Sequence, residues 1–267
     1  MADVALARPA ATIVLMRDGA DGMEVFMVVR HHAIDFASGA LVFPGGRVEE
    51  PDFALADDSF HCPNPEGLSR QALGFRIAAV RETFEECGVL YARKRGARDL
   101  IGADELLVVE NAHRVALGEG KVEFRTVLEA HDLVPATDLL THFAHWITPK
   151  SQPKRYDTEF YLAHAPSAHL AVHDGTEAVD SVWIRPIDAL TGTEEGRFKL
   201  VFATQLNLAK LATYRTAADA ITDASGRKVV TVLPELARME GKQRVMRIPL
   251  EAGYGAAEFV VTNPPAS

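Results

Sequence analysis

Cysteine is scarce: the 267 residues contain two, Cys62 and Cys87. Two thiols cannot build a disulfide framework or a multi-cysteine zinc site, which suits a reducing compartment. No apolar run approaches the length needed to cross a bilayer, and the first eleven residues carry Asp3 and Arg8 without the basic-then-apolar order of a secretory leader. Positive charge is also in short supply. Twenty-eight Lys and Arg stand against 37 Asp and Glu, for a net charge of −9, which argues against a broad nucleic-acid footprint. The ten histidines show no paired metal-ligand spacing. These absences point to a cytoplasmic protein with no membrane or nucleic-acid partner. Small anionic substrates remain compatible if a cation and a few local basic groups screen them.

What the chain does have is a hydrophobic fraction of 48%, enough for a full core, and one concentrated acidic turn. Arg81-Glu82-Thr83-Phe84-Glu85-Glu86-Cys87-Gly88-Val89 follows helical spacing. At roughly 100° per residue, Glu82, Glu85 and Glu86 fall within an arc of about 100°, and Ile77, Val80, Phe84 and Cys87 form a separate apolar arc. In a cleft of effective dielectric near 20, two carboxylates about 5 Å apart repel by roughly 3 kcal/mol. A hard divalent cation would remove that penalty, and oxygen ligands suit Mg²⁺ or Mn²⁺. The plainer alternative is a solvated acidic face. Three neighbours favour the metal reading: Arg81 at ion-pair spacing from Glu85, Gly88 as a left-handed cap, and the upstream Phe43-Pro44-Gly45-Gly46 turn, whose glycines let backbone carbonyls approach a cation.

Together these residues resemble the Nudix box, G-x5-E-x7-R-E-U-x-E-E-x-G-U, where U is aliphatic. Arg81, Glu82, Glu85, Glu86, Gly88 and Val89 match its second half, with Thr83 at the first aliphatic position. Gly46 matches the opening glycine, and Asp52 stands where the first glutamate belongs. The departure is length: residues 53–80 fill a gap where the family has seven, which leaves the equivalence of Asp52 open. The resemblance implies hydrolysis of a diphosphate bridge. It assigns Glu82 and Glu86 first as metal ligands, with Glu85 as a third ligand or the group fixing Arg81, and the Gly46 carbonyl as a further ligand. Catalytic roles fall to Glu82, Glu85 and Arg81. Glu82 is one candidate base, and Glu177 is another.

Arg30, Gly39 and Phe43 to Gly46 also match the spacing of a coenzyme A motif of the family, with Phe26 and Met27 in place of leucines. His31 and Asp35 depart from it, and Asp35 would repel phosphate. Downstream, Trp146-Ile147-Thr148-Pro149 and Pro153-Lys154-Arg155-Tyr156 resemble the acyl-coenzyme A diphosphatase branch, which carries a long insert inside its box. On that likeness Arg30, Lys154, Arg155 and Tyr156 are expected to bind substrate: coenzyme A or acyl-coenzyme A, cut to adenosine 3′,5′-bisphosphate and a phosphopantetheine species. Two rivals are another nucleoside diphosphate derivative, such as ADP-ribose or a dinucleotide, and a non-catalytic nucleotide sensor. Sensors tend to lose box glutamates, and Glu82, Glu85 and Glu86 are all present here.

The expected fold is an α/β/α sandwich with a mixed sheet. Its Nudix domain covers residues 8–220, with insertions at 53–80 and 96–133, and residues 221–267 form a C-terminal extension packed on it. Strands are expected at 12–16 and 23–29 (a hairpin), 40–43, 139–147, 158–163 and 179–184. Helices are expected from Ser69 into the acidic turn, at 104–117, 122–131 and 198–214. Residues 53–65 read as irregular, 186–190 as a turn, and the tail as two β-like pieces, 228–233 and 244–250. The 96–133 insertion reads as a helical lobe, serving either as a lid or as a homodimer surface.

Overall fold

The computed structural model describes residues 5–30, 40–169 and 178–261. His31, Asp35, Gly39 and Glu177 lie outside them, as does the side chain of Arg30.

The hairpin forms as β1 (Ala7–Gly19) and β2 (Gly22–Arg30), paired antiparallel up to Gly19 opposite Gly22. β1 is buried on both faces: Ile13 and Leu15 point to one side, Val14 and Met16 to the other, all at zero exposure. Such two-sided burial marks a central strand. β3 (Leu41–Val42) pairs with β2, and β4 (Gly45–Arg47) hangs on β1, with Ala11 opposite Gly46.

A helix, α1 (Glu50–Ala56), runs into the stretch 53–65 expected to be irregular. Pro51 lies in its first turn, and Asp52 accepts a hydrogen bond from the Glu49 amide (2.8 Å). Helix α2 (Arg70–Cys87) follows, with the Ser69 hydroxyl accepting from the Ala72 amide as its N-cap and Gly88 in the left-handed region (φ 69°) ending it. Gly74 does not break α2. A Cβ there would lie 2.4 Å from the Phe53 ring, so this glycine lets α1 pack directly against α2. The 53–80 insertion is thus the end of α1, a loop, and extra turns of α2 ahead of the acidic one.

After β5 (Ala92–Lys94) come α3 (Ala103–Val109), a π-helical turn (Glu110–Arg114), α4 (Val115–Gly118) and α5 (Phe124–Ala130). These provide the two helical stretches expected in the 96–133 insertion. β6 (Leu133–Pro135) pairs with β5, and a 3₁₀ turn at Thr137–Leu139 replaces the start of an expected strand. β7 (Thr141–Ile147) and β8 (Arg155–His164) are antiparallel to each other, and β8 runs parallel to β1. β9 (Ala178–Ile184) pairs with β2.

Residues expected to turn at 186–190 begin helix α6 (Pro186–Glu194). Helix α7 (Phe202–Leu211) is shorter than the expected 198–214, and α8 (Ala217–Ser225) spans the expected domain boundary at 220/221. β10 (Thr231–Val232) joins the main sheet beside β7. β11 (Glu235–Glu240), β12 (Gln243–Arg247) and β13 (Glu258–Val261) form a separate three-stranded sheet. The main sheet runs β10-β7-β8-β1-β2-β3, with β4 and β9 paired off that path. One core lies between this sheet and α2 with the insertion. The other lies on the opposite face, beneath α7 and α8. This is a mixed-sheet α/β/α sandwich.

Candidate active site

The site begins where β4 passes beneath the last turns of α2. The Gly45 amide donates to Glu86 Oε2 at 2.8 Å. A Cβ on Gly46 would lie 2.3 Å from Glu82 Oε2, so only a backbone without a side chain fits against that carboxylate. Gly45 has φ +154°, and a Cβ there would meet the Ala11 carbonyl at 2.4 Å. The two glycines therefore do different things. Gly45 permits the turn, and Gly46 makes room for Glu82.

Arg81 organises the carboxylates, using all five of its guanidinium donors. Nε and Nη2 form a fork on Asp52 (2.9 and 3.0 Å), Nη1 donates to Glu82 (2.9 Å) and Glu85 (3.0 Å), and Nη2 also donates to the Arg47 carbonyl (2.8 Å). Burial alone would lower the Arg81 pKa, but Asp52, Glu82 and Glu85 hold it protonated, above its ordinary range. Burial pushes the Glu82 carboxyl up to about 7, against the pull of Arg81 and with added repulsion from Glu85. Glu85 is raised in the same way, by burial opposed by Arg81. Thr83, at an aliphatic position of the motif, is fully buried, and its hydroxyl donates to the Ala79 carbonyl (2.7 Å).

The insertion does not carry Asp52 away. Helix α1 turns the chain back so that Asp52, 2% exposed, faces Arg81. Glu82, Glu85, Gly46, Asp52, Lys154 and Tyr156 all line one cleft of about 1990 Å³. Trp146, Ile147, Thr148 and Pro149 line it too. Arg155 departs from expectation. It is buried, and its guanidinium donates to the carbonyls of Thr148 (3.0 Å) and Ala5 (2.7 Å), so it ties together the segments flanking β7 and β1 instead of facing substrate. Residues missed in the sequence also line the cleft: the cations Arg47, Lys199 and Arg244, and an apolar wall of Phe198, Phe202, Leu236, Met246 and Val260. Leu236 and Val260 are each 54% exposed there.

Among the described residues, no three His, Cys, Asp or Glu side chains stand ready-made around a common ion position. Instead, one oxygen of each box glutamate is held by a protein donor, Arg81 or the Gly45 amide. The donors on offer are nonetheless all oxygen, and the Gly46 backbone sits against Glu82 where no side chain would fit. That chemistry fits a hard divalent cation such as Mg²⁺ or Mn²⁺.

Fold and site together define a hydrolase whose acidic helix faces a glycine turn across a substrate cleft. Comparison with known proteins gives the family: residues 63–203 match the NUDT19 Nudix domain, and the chain belongs to the Nudix hydrolases, on the NUDT19 branch. Nudix hydrolases generally use divalent metal ions. The chain is 27% identical to the acyl-coenzyme A diphosphatase NUDT19 of Gallus gallus over 89% of its own length and 71% of that protein's. It is 26% identical to the Homo sapiens protein of the same name, over 64% of its own length and 55% of the relative's. With putative nudix hydrolase 7 of Caenorhabditis elegans it shares 29% identity over 66% of its own length. The chain spans about half the length of these last two relatives. A Nudix hydrolase from Alicyclobacillus acidocaldarius superposes with a TM-score of 0.70 at 28% identity, covering 82% of this chain and 97% of that one. No described helix is long and apolar enough to cross a membrane.

Proposed function

We propose that this protein hydrolyses the diphosphate bond of coenzyme A or an acyl-coenzyme A, releasing adenosine 3′,5′-bisphosphate and phosphopantetheine or its acyl form. The observation that carries this reading is the composition of a single cleft. Its lining includes Glu82, Glu85 and Gly46, the polar side chains Lys154 and Tyr156, and the apolar side chains Trp146, Phe202, Leu236 and Val260. A substrate with an anionic bridge, an aromatic base and a long, partly apolar arm uses all three kinds of group. The names borne by the chicken and human relatives support the same choice.

In this reading, Glu82 and Glu86 would hold a Mg²⁺ or Mn²⁺ ion, with Glu85 and the Gly46 carbonyl as further candidate ligands. When bound, the cation neutralises the diphosphate and makes a water more acidic. Water adds to one phosphorus and the bridging P–O bond breaks, leaving two phosphomonoesters. Arg81 keeps Glu82 and Glu85 in register, so that little reorganisation accompanies the reaction. Lys154 meets substrate phosphate, and Tyr156 stacks on the base.

The test is turnover of coenzyme A, acyl-coenzyme A, ADP-ribose and a dinucleotide with Mg²⁺ and with Mn²⁺, reading adenosine 3′,5′-bisphosphate by chromatography. Strong ADP-ribose cleavage with no coenzyme A cleavage would overturn the substrate assignment. Glu86→Gln is expected to lower turnover by orders of magnitude in a folded protein, and undiminished turnover would remove Glu86 from the ligand set.

A further inference from the structure

The 96–133 insertion carries Glu110 and Arg114 four residues apart, in the π-helical turn between α3 and α4. A π turn within an α-helix widens the backbone locally and often marks a functional position. Here it directs Arg114 onto the end of α2. Arg114 Nε donates to the Glu85 carbonyl and Nη2 to the Glu86 carbonyl, both at 3.0 Å. The last carbonyls of any helix lack partners within it. At this end the Gly88 amide takes only the carbonyl of Phe84 (2.9 Å), and Arg114 takes the next two.

Those two carbonyls belong to box glutamates. Nη1 of Arg114 is paired with Glu110, and the arginine side chain is 15% exposed. Its charge is therefore largely neutralised, and what remains is a rigid fork that fixes two successive peptide planes. Gly88 belongs to the same arrangement. A Cβ there would lie 2.8 Å from both Arg114 Nη1 and Glu110 Oε1, so the glycine that ends α2 also admits the guanidinium.

We propose that Arg114 is a positioning residue: through the Glu85 and Glu86 carbonyls, the insertion clamps the last turn of α2 and sets the aim of those carboxylates toward a divalent cation. This rests on the metal assignment made above. The probe is Mn²⁺ alone, its uptake followed by electron paramagnetic resonance, with metal-free thermal unfolding measured on each variant. Arg114→Met is expected to weaken Mn²⁺ binding about 10-fold, as loss of outer-sphere support does elsewhere, while still unfolding cooperatively. Amide exchange at residues 88–90 should speed up. Glu110→Gln, which keeps the fork, should stay within about twofold of wild type by the same measure.

A folded Arg114→Met protein with wild-type Mn²⁺ affinity would overturn the proposal, as would Glu110→Gln weakening binding as much as Arg114→Met does. Should Arg114→Met fail to fold, Arg114→Lys decides. It keeps the charge without the planar fork, so a several-fold loss supports the clamp and unchanged affinity refutes it. Wild-type protein that takes up no Mn²⁺ would refute the metal assignment itself and the clamp with it, an outcome distinct from a variant that binds normally.

Discussion

Replacing Asp52 by Asn tests the central ion network. Asp52 is 2% exposed, and Arg81, which it holds in a two-point fork, is 9% exposed. The amide keeps the shape and one acceptor, but its NH₂ then faces a guanidinium N–H, so one buried donor loses its partner and another loses a charged acceptor. Charge-assisted hydrogen bonds contribute about 1.5–3 kcal/mol, and a stranded buried donor costs about 1–3. Glu82, Glu85 and the Arg47 carbonyl still hold Arg81, which places the loss near the lower end of what breaking a buried pair costs, about 3 kcal/mol. For a chain of this size that corresponds to a drop in Tm of about 6–12 °C. Urea unfolding followed by circular dichroism gives the difference directly. Glu50→Gln, which removes only an exposed bridge to Arg70, serves as the control and should leave the midpoint in place. An Asp52→Asn midpoint equal to that of the control would refute the reading of Asp52 as the anchor of Arg81.

Gly46→Ala puts a Cβ against a side-chain carboxylate; the carboxylate can swing away, so stability should change by less than about 1 kcal/mol while turnover falls at least about tenfold. Gly45→Ala meets a backbone carbonyl at a left-handed φ and should instead lower the yield of folded protein, a contrast readable from expression and melting. Burial, reinforced by Asp58, pushes the Cys62 thiol up to about 12, so it should resist iodoacetamide at pH 8 until denaturant is added; rapid alkylation of native protein, seen by peptide mass mapping, would contradict its burial. Burial, with Arg227 nearby, lowers Lys210 to about 8 from 10.5. Its charged form thus opposes folding below pH 8, and that penalty fades as pH rises from 8 to 10.5. Discounted for partial exposure, Lys210→Met should be about 1 kcal/mol more stable than wild type at pH 7, a gain that disappears near pH 10.5 in paired urea titrations.

The acidic helix was legible because two independent periodicities agreed, an apolar arc and a carboxylate arc, with Ser69 and Gly88 marking the ends. Helix α1 was not, although its signals were present: Pro51 in the first turn, and Asp52 three residues after Glu49. Seven residues are too few for a helical stripe to emerge, and the missed helix is the one that brings Asp52 back to Arg81. Arg155 shows a second limit. Consecutive strand residues face opposite sides, so Arg155 and Tyr156, the first two residues of β8, could not both reach one cleft. The strand pattern in the sequence starts only at residue 158, so alternation gives no signal for the residues before it. Strands β11 and β13 escaped for a related reason. Leu236 and Val260 line a cleft instead of packing beneath the main sheet, so they stay exposed and no inside-outside alternation develops.

The same placement explains how the acidic cluster is held in the fold. Asp52, Glu82 and Glu85 bring three carboxylates to one guanidinium, with Glu86 beside them on the same helix as the two glutamates, an arrangement that mutual repulsion would splay apart if each side chain were left to solvent. The chain prevents this by giving each carboxylate a fixed donor: the Arg81 fork for Asp52, a shared Nη1 for Glu82 and Glu85, and the Gly45 amide for Glu86. Because these donors come from α2 and from the turn bound to the central strand β1, the geometry follows from the packing of helix on sheet. The residual negative potential is then a property of the folded scaffold, directed into the cleft. A side chain that loosens the scaffold without touching the cleft, such as one at Gly74 that pries α1 from α2, should therefore impair activity through Asp52, and restoring contact by trimming Phe53 in the same chain should recover part of it.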